Sequence, residues 1–192
     1  MPVIIETIVT TTSAKGVPHI APLGLIKDGE GWILAPFHPS TTLQNLRDTG
    51  VAVANYTDDV RIFAGCLTGR RDWPLVATGI AAPRLAAALS HAELAVVGVD
   101  EHPERPRFHC KVVAHYTHAP FAGLNRAKNA VLELAILASR LHMLPREKVE
   151  REVEYLRIAI GKTAGAAELE AWGWLMERVE RFYAGHSDAP KT

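Results

Sequence analysis

The stretch PFHPSTTLQNLRDTGVAVANYTDD, residues 36–59, strings together a hydroxyl-rich loop, a short helix and a strand. Ser40, Thr41 and Thr42 stand where a helix begins, Leu43 and Leu46 supply its apolar positions, and Gly50 is placed to end it. Hydroxyls at a helix N-terminus cap the helix or hydrogen-bond a bound anion. Free backbone N–H groups and the positive end of the helix dipole favour the anion by roughly 0.3–1 kcal/mol. These residues alone leave both uses open. Past Gly50, an apolar strand over residues 51–56 runs into the polar cluster Asn55, Thr57, Asp58 and Asp59, which either shapes a turn or borders a ligand.

Upstream, Val3 to Thr12 is rich in β-branched residues, and a turn at 13–16 leads to a second extended run, Val17 to Lys27, giving a hairpin. That second run contains Ala21-Pro22-Leu23-Gly24. Proline removes a donor and glycine a side chain, so either the strand bulges or something flat lies against its backbone. A third strand follows at 31–35. Downstream, Val60 to Leu67 reads as a strand, 69–74 as a surface loop, and Leu85 to Ser90 as a short helix after Pro83. His91 to Asp100 and Arg107 to His118 read as a long strand pair. In the latter, Phe108, Cys110, Val112, Ala114 and Tyr116 alternate with Arg107, His109, Lys111, His115 and Thr117.

From Leu124 the apolar period becomes helical: Leu124, Ala127, Val131, Leu134, Ala138 and Leu141 form one stripe. A second helix is expected from Pro145 to Gly161 with Val149, Val153, Leu156 and Ile160 on one face. A third, from about Gly165 to Tyr183, aligns Leu169, Trp172, Met176, Val179 and Tyr183. Acid-first pairs Glu147–Arg151 and Glu177–Arg181 suit solvated faces. Six or seven strands followed by three helices make an α+β chain. The expected division is a β-barrel over 1–120, a helical subdomain over 121–185 packed on the barrel or on a dimer partner, and a flexible tail over 186–192.

Lysine plus arginine equals aspartate plus glutamate, 21 against 21, which gives no basic balance for nucleic acid. No apolar run reaches the roughly 18–20 residues of a membrane span, and no secretory leader pattern opens the chain, so a cytoplasmic location is expected. Cys66 and Cys110 are expected to be free, buried thiols.

Arg126, Glu133 and Arg140 follow at seven-residue steps in apolar surroundings, so they either form an internal ion-pair row or face a polar cavity, with Arg126 free to hold a phosphate. The loop before Ser40 offers His38 but no arginine or lysine. Among the histidines, His115 and His118 are three apart on a strand and point to opposite faces, so no metal site is expected with His109. Gly161-Lys162-Thr163 lacks the upstream glycine and strand of a phosphate-binding loop and reads as a connection between helices. No Gly-x-Ser-x-Gly is present, and neither cysteine has an activating neighbour.

Thr42-Leu-Gln-Asn45-Leu before Val51-Ala-Val-Ala-Asn55 resembles the flavin-binding signature of FMN-binding split-barrel proteins. Residues 6–11, 21–25, 40–46, 55–58 and the helical 125–141 resemble, in order, a domain-of-unknown-function branch of that superfamily found in methanogenic archaea and methylotrophic bacteria. The resemblance implies an antiparallel split β-barrel binding FMN, with the isoalloxazine beside Pro22, Leu23 and Gly24. It gives His38, Ser40, Thr41, Thr42, Asn45, Asn55, Thr57 and Arg126 as further cofactor-binding residues, and leaves Glu133 or Arg140 to face a substrate. It further implies a homodimer with FMN near the interface and an oxidoreductase transferring hydride or electrons, linked to methanopterin- or methanofuran-dependent one-carbon metabolism. No catalytic residue is singled out. The alternative is a non-catalytic flavin-binding or scaffold protein.

Overall fold

The structure, a computed structural model, describes residues 2–186. The chain divides into two compact units, residues 1–58 with 72–121, and residues 59–71 with 122–192. The loose tail expected at 186–192 lies, from 187 on, outside the described residues.

The first unit is a closed six-stranded antiparallel barrel. Its strands are β1 (Ile4–Thr12), β2 (Pro18–Asp28), β3 (Gly31–Leu34), β4 (Val51–Tyr56), β7 (Ser90–Asp100) and β8 (Arg107–Thr117), and α1 (Thr41–Thr49) links β3 to β4. Around the barrel they run β1-β2-β3-β8-β7-β4. Val9, Leu25, Leu34, Ala52, Ala54, Leu94 and Phe108 fill the interior, and Leu43 and Leu46 of α1 pack into the same core. α1 starts and stops where the sequence places it: Ser40 accepts the Leu43 N–H, and Gly50 closes the helix at φ 67°, a left-handed geometry that only glycine adopts without strain.

Ala21 to Gly24 form no bulge, because the β1–β2 register runs unbroken from Ile4↔Ile26 to Thr12↔Pro18. The Lys27 N–H bonds Val3 O, so by the two-residue period the nitrogen of Pro22 faces away from β1. On that other edge β2 pairs with β3 only at Ile26 to Asp28, and the missing donor costs no ladder bond. The register shifts fall in β7–β8 instead, leaving out Val113 of β8 and Val97 of β7. The alternation expected along β8 holds for buried Phe108 and Cys110 and is lost beyond, where Val112 and Tyr116 are exposed.

A strap over residues 72–89 contains the short antiparallel pair β5 (Leu75–Val76) and β6 (Arg84–Leu85). The helix expected over Leu85 to Ser90 does not form. Leu85 N–H is taken by the Asn55 side chain, Leu89 N–H by Tyr56 O, and Leu89 O by His118 N–H, so long-range bonds displace a short local helix.

The second unit is helical: α2 (Val60–Thr68), α3 (Arg126–Ser139), α4 (Arg146–Thr163) and α5 (Ala166–His186). The strand expected at Val60 to Leu67 is α2. Asp59 caps it by accepting the Arg61 N–H at 3.1 Å and Gly69 ends it at φ 86°, while a short apolar run fits either state by periodicity alone. Ala127, Val131, Leu134, Ala138 and Leu141 of the α3 segment, Val149, Val153 and Ile160 of α4, and Ala171, Trp172, Leu175 and Val179 of α5 share one core. Two expected stripe members lie outside it, Leu124 at 87% and Leu169 at 54% exposure. α4 runs through Gly161 to Thr163, so that tripeptide is the last turn of a helix rather than a connection. Among the described residues the i,i+4 pairs on α4 are Arg146–Glu150 and Lys148–Glu152, and Glu147–Arg151 is not one of them. No described helix is long and apolar enough to cross a membrane.

Candidate functional site

α1 presents its N-terminus with a hydroxyl set split by task. Ser40 is occupied as the cap, 3.3 Å from Leu43 N, whereas Thr41 is exposed and Thr42 is buried against the barrel. Asn45, one turn on, is buried and donates to Thr11 Oγ1 at 3.0 Å, which locks α1 to β1. His38 is exposed in the preceding loop, its N–H held by Glu104 O at 2.8 Å. The β7–β8 loop also brings a cation that the sequence reading missed. Arg105 donates to Ala35 O at 2.7 Å and lies 4.6 Å over the Phe37 ring. A hydroxyl, open first-turn N–H groups and a guanidinium beside the same loop form a donor set suited to a phosphomonoester.

On the barrel wall, Pro22, Leu23 and Gly24 are half-buried opposite Ile8, Thr7 and Glu6, and Leu23 O accepts from Thr7 Oγ1 at 2.8 Å. A Cβ at position 24 would come 2.8 Å from Ile4 Cγ2, so only glycine lets the β2 backbone lie this close to the Ile4 side chain. Asn55 is wholly buried. Its Nδ2 donates to Ile8 O and Thr10 Oγ1, its Oδ1 accepts from Leu85 N at 2.7 Å, and Thr10 Oγ1 bonds Pro83 O. Asn55 therefore holds the strap. Thr57 Oγ1 donates to Ala87 O at 3.3 Å. The structure thus hangs three groups on β1: α1 through Thr11, the β4 end through Thr10, and the β2 segment through Thr7.

Arg126, Glu133 and Arg140 belong to the helical unit, all three exposed. Among the described residues no ion pair joins them, so the expected internal row is not formed: the buried side of α3 carries Ala127, Val131 and Leu134, and the charged line faces outward. Arg126 is the first residue of α3, after the cap Asn125.

The three histidines weighed for a metal go separate ways. His115 lies beside the Tyr56 ring, His118 bonds His91, and His109 bridges Asp28 and Asp100 at 2.9 and 2.8 Å. Hydrogen bonds to Asp100 and then Asp28 raise the pKa of His109. Both cysteines are buried thiols outside any disulfide, and burial pushes Cys66 up to about 11 and Cys110 up to about 12. Neither is a nucleophile at neutral pH.

An antiparallel six-stranded barrel with α1 between β3 and β4 has the split-barrel fold. The chain belongs to the family described as protein of unknown function DUF447, whose N-terminal domain matches residues 5–119 and whose second domain matches 125–177. No curated protein matches it. Among solved structures it is similar to an FMN-bound DUF447 protein from Methanosarcina mazei, 20% identical, TM-score 0.78, covering 93% of this chain and 96% of that one. It is also similar to a flavoredoxin from Methanosarcina acetivorans, 18% identical, TM-score 0.51, covering 62% and 69%. A 2-nitrobenzoate 2-nitroreductase from Pseudomonas fluorescens is 22% identical, TM-score 0.50, covering 62% and 66%.

Proposed function

We propose that the chain is an FMN-binding flavoprotein that works as an oxidoreductase. The observation that carries this reading is the α1 N-terminus, where exposed Thr41, the first-turn N–H groups and the guanidinium of Arg105 offer donors to a phosphate. It is supported by a family relative of nearly the same length that is FMN-bound. Thr41, Thr42 and the adjoining N–H groups take the phosphate, and the half-buried Pro22 to Gly24 segment lies against the ring. Bound there, FMN supplies hydride or electron transfer. The polypeptide orients it, and the buried amides of Asn45 and Asn55 keep α1 and the β4 end rigid.

The protein works as a homodimer. Exposed Val97, Val113 and Tyr116 on the β7–β8 ribbon, at 61%, 46% and 51%, are apolar side chains suited to covering by a second copy. The substrate is a small molecule, and the one-carbon carriers implied by the resemblance are the first class to screen.

The test is a visible absorption spectrum of the purified chain, followed by identification of the molecule released on heating. A yellow protein releasing FMN supports the reading, and reduction by NADH or NADPH supports the enzyme. A colourless protein that takes up no added FMN overturns it, and sedimentation as a monomer overturns the dimer.

A further inference from the structure

Three polar side chains that the site above does not use stand in line on the barrel unit. Glu93 and His91 are two apart on β7 and share a face, buried at 4% and 3% exposure. His118 follows the last residue of β8, and its N–H, bonded to Leu89 O at 2.7 Å, holds it beside His91. The two rings are nearly parallel, 9° apart, and His118 Nε2 lies 2.8 Å from His91 Nδ1. Tyr116 stacks on His91 with centroids 5.2 Å apart. The far nitrogen, His91 Nε2, is buried, 3.7 Å from Glu93 Oε1, with no hydrogen-bond partner among the described residues. Glu93 Oε1 itself accepts the Gly79 N–H at 2.8 Å.

A neutral imidazole carries one N–H, and its partners select which nitrogen bears it. A lone pair on His91 Nε2 would face the carboxylate and be repelled, so the proton sits there and Nδ1 accepts. His118 must then donate from Nε2. That leaves a lone pair on His118 Nδ1, on an exposed residue. Burial first and His118 second lower the pKa of His91, and burial and Arg84 lower that of His118, which favours the neutral form of both rings. Glu93, Arg84 and Tyr116 are the ionisable groups facing the pair.

We propose that Glu93, His91 and His118 form a proton relay whose exposed terminal, His118 Nδ1, exchanges a proton with a substrate reduced or oxidised over the end of β4. There Thr57 bonds Ala87 O, and Tyr56 O accepts the Leu89 N–H at 2.9 Å. The substrate is of the class that gains a proton together with hydride, so the role rests on the flavin reading for its electrons. When His118 Nδ1 takes a proton, its Nε2 proton passes to His91 Nδ1 and the His91 Nε2 proton passes to Glu93. One proton enters and one carboxylate is neutralised, with no net charge left on the buried imidazole. In the reductive direction the relay starts with Glu93 protonated and runs in reverse: Glu93 returns its proton to His91 Nε2, and His91 Nδ1 returns one to His118 Nε2. His118 Nδ1 gives its proton to a substrate whose hydride the bound flavin would supply, after which solvent recharges Glu93 through the same chain. His118 touches the substrate. His91 and Glu93 are positioning residues.

Long-range 1H–15N correlation spectra of the ¹⁵N-labelled full chain, with His118→Gln to assign the signal, read the tautomer directly. The expected result is His118 as the Nε2–H tautomer, titrating below the ordinary 6.5. Both Glu93→Gln and His91→Phe shift it toward the free-imidazole mixture. An Nδ1–H tautomer in the wild type, or a folded variant of either kind with the tautomer unchanged, overturns the relay, and the wild-type spectrum decides even if neither variant folds. In the FMN-loaded chain, reoxidation by a benzoquinone should slow about 100-fold in His118→Gln and lose its pH dependence. An unchanged pH profile overturns the terminal role. A wild type that binds no flavin overturns the flavin reading instead, with the tautomer spectra still judging the relay.

Discussion

Asn55 Oδ1 accepts the Leu85 N–H at 2.7 Å, tying the end of β4 to a segment thirty residues later in the chain. The same amide donates to Ile8 O at 2.9 Å, so one side chain joins β4, β1 and the strap. Asn55→Ala leaves a buried N–H and a buried carbonyl without partners, at about 1–3 kcal/mol for each such loss. The expected outcome is a drop of about 2–4 kcal/mol in urea unfolding of the full chain. Asn55→Asp keeps the acceptor for Leu85 but turns a carboxylate oxygen toward the Ile8 and Val53 carbonyls in a wholly buried site, and should cost at least as much as the alanine. A loss below about 0.5 kcal/mol would show that the strap is held elsewhere.

Ser40 and Thr41 separate two jobs that a hydroxyl at a helix start can do. Ser40 holds the Leu43 N–H and Thr41 is exposed. Ser40→Ala should lower stability by about 1 kcal/mol. Thr41→Val should leave the melting temperature within error while weakening FMN binding about tenfold, the loss of one charge-assisted hydrogen bond. Arg105→Gln should weaken binding as well and reduce its salt dependence. Titration of added FMN by fluorescence quenching checks Thr41→Val and Arg105→Gln, and thermal melting checks Ser40→Ala and Thr41→Val.

Cys110 and Cys66 differ in surroundings but not in outcome. Both are buried, with thiols raised to about 12 and about 11, so little thiolate exists at pH 8. An aromatic disulfide reagent should label neither in the native chain and both in denaturant. Rapid native labelling of either would place that sulfur at the surface.

The sequence made the barrel legible where both local signals and pairing partners agreed, as in Ser40 to Gly50 and the β7–β8 ribbon. It failed where a short apolar run had no periodicity to separate strand from helix, which is why α2 read as a strand until Asp59 and Gly69 were seen to cap it. The strap was misread because its conformation is fixed by partners far off in sequence, Asn55 and Tyr56. The same limit hid Arg105, which reaches Ala35 from seventy positions away. The charged line of α3 reads, on the apolar character of its neighbours, as an internal ion-pair row or as facing a polar cavity. Yet those neighbours form a stripe on the opposite side of the helix, and Arg126, Glu133 and Arg140 occupy its exposed face.

His109 and His91 give the protein two titrations of opposite sign. His109 sits between Asp100 and Asp28, whose hydrogen bonds raise its pKa above the ordinary 6.5. The folded state therefore binds that proton more tightly than the unfolded chain. Its contribution is fully present below pH 6.5 and is lost as the pH rises through the folded value. Buried His91 has a lowered pKa, so the unfolded chain binds its proton more tightly, and stability falls as the pH drops below 6.5 toward the folded value. Comparing melting temperatures of wild type and His109→Gln should show a gap that narrows as the pH is raised from acid to alkaline. His109 is partly exposed and Asp100 largely so, hence the gap should also shrink in concentrated salt. The His91→Gln comparison should run the other way, with wild type losing ground on acidification. A gap for His109→Gln that widens with rising pH would mean that His109 is neutral in the folded protein and that the two carboxylates do not hold it charged.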